Sequence, residues 1–150
     1  MEQEDYCSYE LALKLKECGF DEPCRCCYIA DKNTESNAEF TEYASEVRWN
    51  SAKTGGSKYP YVHISAPTLT IAQKWLREEY GIHIDVWTCS DYSTDADGNV
   101  CDRWGFWGFK LYAIVGGERM AIDDDEYDSY ECALSAGIYA ALELIEQEKK

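Results

Sequence analysis

The chain has 150 residues, 45% of them apolar and 14% aromatic, and 29 acidic side chains against 14 basic ones give a formal net charge of -15. One domain, or two small lobes (1–65 and 66–150) sharing a core, fits that length, and the apolar content excludes a disordered chain. Such a charge repels phosphate backbones and anionic headgroups, so direct binding to nucleic acid or membrane is disfavoured and a basic protein is the expected partner. Acidity for solubility alone is the plainer explanation. The opening MEQEDYCSYE lacks the apolar core of a signal peptide, and no apolar run approaches the roughly 20 residues that span a bilayer. A soluble, cytoplasmic protein is expected, whose eight cysteines are thiols and not a disulfide framework.

Residues 8–19 (SYELALKLKECG) predict a short amphipathic helix. Ser8 caps it, Leu11, Ala12, Leu15 and Cys18 form its apolar stripe, and Gly19 ends it before Phe20 packs back. CRCCYIA at 24–30 predicts a strand, and 31–37 a polar connection. EFTEYASEVRWN at 39–50 is divided between a loose helical period (Phe40, Tyr43, Val47) and a strand ending at Val47 and Trp49; the strand is favoured. A loop at 51–60 leads into a strand at 61–65.

The most legible stretch is 65–88, SAPTLTIAQKWLREEYGIHIDVWT. Thr68 caps a helix whose Ile71, Ala72, Trp75, Leu76 and Tyr80 recur at helical spacing, and Gly81 supplies a left-handed end. Ile82, Ile84, Val86 and Thr88 then alternate with His83, Asp85 and Trp87, a strand with one wet face. Residues 89–102 read as a long polar connection turning at Asp97-Gly98. WGFWGFKLYAIV at 104–115 predicts a strand with Trp107, Phe109, Leu111, Ala113 and Val115 on one face. Gly116-Gly117 turns into a short third strand, ERMAID. A last helix spans about 129–146, with Asp128 and Glu131 spaced as a capping box and Tyr130, Ala133, Leu134, Gly137, Ile138, Ala141, Leu142 and Ile145 on its buried face. Gly137 there marks a close backbone approach.

These elements predict an α+β fold of antiparallel sheet with three helices, in the order α-β-β(-β)-α-β-β-β-α. The second half has the element order of the double-stranded-RNA-binding domain. That family places RNA-contacting lysines at the start of its last helix, where this chain has Asp123, Asp124, Asp125, Glu126 and Asp128, so no phosphate-binding role follows.

The phrases LALKLKECGFDEPC, SAPTLTIAQKWLREEYGIHI and YDSYECALSAGIYAALELI resemble a group of short, uncharacterised proteins encoded by phages and integrated elements of gut Bacteroides and their relatives. The matching stretches are Gly19 to Cys24, the Ala-Pro-Thr-capped helix with its Trp-Leu-Arg-Glu run, and Tyr130 to Gly137; residues 31–60 and 89–105 do not join them. The resemblance implies a phage or mobile-element accessory protein in a bacterial cytoplasm. It carries caps and packing faces and transfers no activity.

Cys24-Arg25-Cys26-Cys27 holds a Cys-x-x-Cys spacing, the knuckle of many zinc sites, with Cys89 and Cys101 able to converge from opposite ends of one loop as the second pair, or His63 or His83 in their place. Strand alternation instead puts Cys24 and Cys26 on a face that Cys27 does not share, and buried thiols are the plainer explanation, so no cofactor is expected. Asp95, Asp97 and Asn99 around Gly98 fail the calcium-loop frame at Ser93 and Trp104. Thr54-Gly55-Gly56-Ser57-Lys58 lacks the phosphate-loop frame. His63 and His83 fall on strands without an orienting acid and read as surface residues, so no enzyme is expected.

Two features remain. The run Asp123, Asp124, Asp125, Glu126, Tyr127 and Asp128 is placed at the N-terminus of the last helix, where the macrodipole favours negative charge; its functional reading is a docking surface for a basic protein. Trp87, Trp104, Phe106 and Trp107 form either an interface, a two-sided core or a homodimer seam. The sequence therefore predicts a non-enzymatic, acidic protein-binding module, an inhibitor of a host defence or DNA-handling protein by charge mimicry. The alternatives are a zinc-stabilised module and a homo-oligomeric structural protein.

Overall fold

A computed structural model describes the backbone of residues 5–33, 38–52, 56, 58–94 and 96–149, with the side chains of 89–94 and 100–105 outside the described set. The elements run α1 (Tyr9–Glu17), β1 (Cys24–Asp31), β2 (Glu39–Val47), β3 (Tyr61–Ser65), α2 (Leu69–Tyr80), β4 (His83–Thr94), β5 (Val100–Val115), β6 (Glu118–Tyr127) and α3 (Tyr130–Glu148). They build two antiparallel three-stranded sheets, ordered β2-β1-β3 and β4-β5-β6. The fold is the α+β class expected, and the divided stretch is a strand from Glu39 to Val47, with Trp49 in the turn that follows it.

Local chemistry sets the helix boundaries. The Ser8 hydroxyl accepts from Leu11 N at 3.3 Å and Thr68 from Ile71 N at 3.2 Å, each satisfying a donor the first turn leaves free. Gly81, at φ 66°, ends α2 in the left-handed conformation. The cap of α3 is Ser129, accepting from Cys132 N at 3.1 Å, and not Asp128. With the helix starting one residue later, Tyr130 is 42% exposed instead of lining the buried face.

Residues from both halves of the chain meet in the main core: Leu11 and Leu15 of α1, Trp75 and Leu76 of α2, Ile84 of β4, Phe109 and Leu111 of β5, and Leu134, Ile138 and Leu142 of α3. α3 lies across β4 and β5 on Gly137, as expected: a Cβ there would stand 2.7 Å from Ile84 Cγ2 and 3.2 Å from Phe109 Cγ. A second close approach occurs in β5, where a Cβ on Gly108 would run into the Trp87 ring and stand 2.8 Å from Asp124 O.

Three expectations are corrected. Residues 89–102 are not a connection: β4 continues to Thr94 and β5 begins at Val100, so a long two-stranded ribbon replaces the predicted loop. β6 does not stop at 123; it runs on to Tyr127, with Asp123 and Asp124 paired to β5 and Asp125 and Glu126 in a bulge of the strand, so the acidic residues are not the first turn of a helix. In the first sheet a bulge shifts the β1–β2 register from Cys24↔Val47 to Cys26↔Glu42, three residues more on β2 than on β1. Cys24 and Cys27 consequently share the main core while Cys26 joins a second cluster with Tyr28, Ile64 and Ala66, reversing the alternation argument.

Among the described residues no helix is long and apolar enough to cross a membrane.

Candidate functional site

β6 is an edge strand, and the acidic run on it divides into positions of different character. The Gly116-Gly117 turn, at φ 59° and 83°, fixes a hairpin whose register is regular from Val115↔Glu118 to Phe109↔Asp124. It then slips by one residue, and Trp107 faces Tyr127. Asp125 and Glu126 occupy that bulge, and Glu126 takes a left-handed φ of 75°. Asp124 accepts twice: from Asp125 N at 2.9 Å on Oδ1 and from the Tyr127 hydroxyl at 2.8 Å on Oδ2. Burial, then the Asp124 carboxylate, push the Tyr127 phenol up to about 12, since both disfavour a second negative charge. Asp128 follows the strand and precedes the Ser129 cap.

Two grooves open beside this edge. The first, about 520 Å³, lies between β6, α1 and α3. Its walls are aromatic and apolar (Phe109, Ile122, Tyr127, Tyr139), and the carboxylates Glu10, Asp123, Asp124 and Glu143 line it. The second, about 720 Å³, is lined by Tyr6, Tyr9, Tyr28 and Glu131. Ser8 and Ser135 line both, so the two adjoin along α3. No lysine or arginine lines either groove among the described residues. At the end of the first, Lys14 Nζ stands 4.8 Å over the Tyr139 ring and 3.3 Å from Glu146 Oε2. An ammonium is thus already held here between an aromatic face and a carboxylate.

The structure gathers only part of the predicted site: Asp123, Asp124 and Tyr127 reach the groove, Asp125 and Glu126 form the bulge, and Asp128 stands beyond it. Glu10, Tyr139 and Glu143 were missed because they lie on helices distant in sequence. Helical spacing could have flagged Tyr139 and Glu143, four residues apart on one side of α3.

The aromatic group is partly internal. Trp87 meets Phe106 edge-on at 6.2 Å and Trp107 meets Tyr130 at 5.8 Å; the Trp104 side chain lies outside the described residues. On the same sheet, Tyr112 and Ile114 are, among the described residues, the large apolar side chains left exposed.

The cysteine expectations are set by backbone register, since the side chains of Cys89 and Cys101 lie outside the described residues. Cys24 donates to Glu22 O at 3.4 Å. Cys101 pairs with Ser93, four positions further along β4 than Cys89, which separates their backbones by about 13 Å of ladder. The predicted second pair is therefore not formed by a loop. Among the described residues no three His, Cys, Asp or Glu side chains are grouped to hold a metal ion.

His63 is not a surface residue. Only 8% exposed, it sits 3.7 Å from Cys27 Sγ through Nδ1 and 3.2 Å from the Tyr59 hydroxyl through Nε2, with the Trp49 ring stacked on it at 5.4 Å. Burial pushes the Cys27 thiol up to about 12 and holds the imidazole below its ordinary value. Thiol and imidazole are both neutral at pH 7, a hydrogen-bonded core pair and not an activated nucleophile. His83 is exposed on β4. The calcium-like and glycine-rich stretches include Asp95, Thr54, Gly55 and Ser57, outside the described residues.

The chain matches no family model, no curated protein and no solved structure.

Proposed function

We propose that this protein is a non-enzymatic binding module whose groove between β6, α1 and α3 takes a basic segment of a partner protein. The observation that carries this reading is the lining itself: four carboxylates and two tyrosines, with no lysine or arginine in the lining among the described residues and Lys14 at its margin over one side of the Tyr139 ring. An exposed ion pair contributes about 0–1 kcal/mol and an exposed cation–π contact about 0.5–1, so binding requires several such contacts at once. The Lys14–Tyr139–Glu146 arrangement supplies the precedent within the fold.

A concave, aromatic-floored groove favours a single lysine- or arginine-bearing segment over a broad face imitating a nucleic-acid duplex. Charge mimicry then takes a narrow form: the groove competes for the segment with which the partner meets phosphate. The resemblance to phage and mobile-element proteins supports a host defence or DNA-handling protein as that partner. The paired, buried state of Cys27 and His63 supports a role without catalysis.

Titration with an oligolysine peptide at two salt concentrations tests the proposal. Binding is expected to weaken with salt, and the triple substitution Asp123→Asn, Asp124→Asn, Glu143→Gln is expected to lower affinity at least about tenfold at low salt. Equal affinity and equal salt dependence in the two proteins would overturn the proposal.

A further inference from the structure

β6 has a free outer edge, and the sheet register says which of its backbone groups are available. A two-residue turn makes Val115 and Glu118 the first hydrogen-bonded pair of the hairpin. Regular alternation up to Asp124 then directs the N–H and C=O of Glu118, Met120, Ile122 and Asp124 towards β5. Those of Arg119, Ala121 and Asp123 point outward, and among the described residues nothing pairs with them. The opposite edge of the same sheet is treated differently: Gln73 of α2 donates to Ile84 O of β4 at 2.7 Å.

Proteins protect such edges with charge and bulges, and β6 has both at its far end, in Asp123 to Glu126. This protection has a sign. A second copy of a chain carrying a net charge of -15 is repelled, and a basic strand is not. The groove runs beneath the far end of the edge, where Ile122, Asp123, Asp124 and Tyr127 line it with Glu10 of α1 and Tyr139 and Glu143 of α3, and the open positions Arg119 and Ala121 lead into it. Neighbouring strands lie about 4.8 Å apart, so a strand added to β6 lies over this groove.

Building on the basic-segment reading, we infer that the occupant enters extended, as a fourth strand antiparallel to β6, paired with Arg119, Ala121 and Asp123. In antiparallel pairing, the residues bonded to these three carry side chains on the same sheet face as theirs, away from α3. The intervening residues do not bond to β6 and project their side chains into the groove, where lysine or arginine meets Tyr127, Tyr139, Asp124 and Glu143. The partner segment thus alternates basic residues with others, and the other residues carry the ladder.

The test uses a peptide alternating lysine and valine, as long as β6, and two N-methylated forms of it, titrated into the whole protein. Methylating the valine amides removes the ladder donors and is expected to weaken binding at least about tenfold; methylating the lysine amides is expected to leave it nearly unchanged. Hydrogen exchange at Arg119, Ala121 and Asp123 is expected to slow when the parent peptide is added. If both methylated peptides bind like the parent and exchange does not slow, strand addition is wrong while the basic groove stands. If the lysine-methylated peptide alone loses binding, the antiparallel arrangement is wrong. If the parent itself fails to bind at low salt, the groove reading falls as well.

Discussion

Replacing Gly137 by alanine sets two known effects against each other. A glycine inside a helix is about 1 kcal/mol worse than alanine, so Gly137→Ala at an open position would stabilise the protein by that amount. The new Cβ would instead stand 2.7 Å from Ile84 Cγ2 and 3.2 and 3.3 Å from two Phe109 ring atoms, where carbon contacts are comfortable at about 3.5–4.0 Å. Ile84 and Phe109 are 4% and 2% exposed and sit in the packed core, so neither can swing aside into solvent. Overpacking of this kind costs about 1–3 kcal/mol, and the net result is expected to be a loss of about 1 kcal/mol. Urea unfolding followed by circular dichroism measures it. Ile84→Ala alone should cost about 2–5 kcal/mol; with Gly137→Ala beside it, the loss should be smaller than the sum by about 1 kcal/mol, because the added methyl occupies vacated space. A Gly137→Ala protein more stable than the parent, with additive behaviour in the double variant, would refute the packing account. The consequence reaches the groove, since α3 also presents Tyr139 and Glu143 to β6.

Glu126 holds a φ of 75° that disfavours any side chain with a Cβ by about 1–2 kcal/mol. Glu126→Gly is expected to raise the melting temperature by about 2–3 °C after the extra freedom of glycine in the unfolded chain is discounted; an unchanged or lower value contradicts the strain. For His63 the neighbours Cys27, Trp49 and Tyr59 include no carboxylate, and burial lowers the folded-state pKa below the unfolded value near 6.5. The unfolded chain therefore binds the proton more readily: His63's contribution is complete above about pH 6.5 and is lost as pH falls below it. A His63→Asn protein should show a shallower loss of stability across that window than the parent, and equal slopes would refute the assignment. Asp124→Asn should bring the Tyr127 phenol down from about 12 towards its ordinary range near 10 without fully reaching it, because burial remains. Carbon-13 NMR of the labelled tyrosine ring reads this, and an unmoved titration would mean the hydrogen bond to Asp124 is not formed.

The helices and their limits were readable because caps and apolar spacing are local signals. Ser8, Thr68 and Gly81 do in the structure what their sequence contexts indicate, and Gly137 marks the approach it should. What escaped reading is non-local. The β4–β5 ribbon through 89–102 is built from polar residues, and backbone pairing with a partner strand, not apolar alternation, makes it a strand. The parity of Cys24, Cys26 and Cys27 was inverted by a bulge whose extra residues lie on β2, so no inspection of the cysteine stretch could reveal it. His63 is buried because Trp49 and Tyr59 fold over it from a connection whose path the sequence does not define. The acidic run was recognised as a unit, but its register on β6 turns Asp124 and Tyr127 to the α3 side with Glu10 and Glu143, leaves Asp123 at the groove's rim with its side chain on the opposite sheet face, and keeps Asp125, Glu126 and Asp128 out of the lining.

That partition bears on how the charge works. The groove carboxylates on β6 are exposed, so at physiological ionic strength their reach is limited to about 8 Å. In the proposed binding role their main effects are to speed the approach of a basic segment and to exclude acidic or self-derived strands. Residence of the proposed segment would then depend on what salt does not screen: the Tyr127 and Tyr139 faces and the unpaired edge of Arg119, Ala121 and Asp123. Neutralising the carboxylates should therefore act mostly on the association rate, whereas Tyr139→Ala should act mostly on dissociation. A protein whose acidity served solubility alone would show neither separation. The kinetic split between charge and aromatic variants is thus a sharper discriminant than affinity, because it asks whether the two kinds of residue act on the same bound segment.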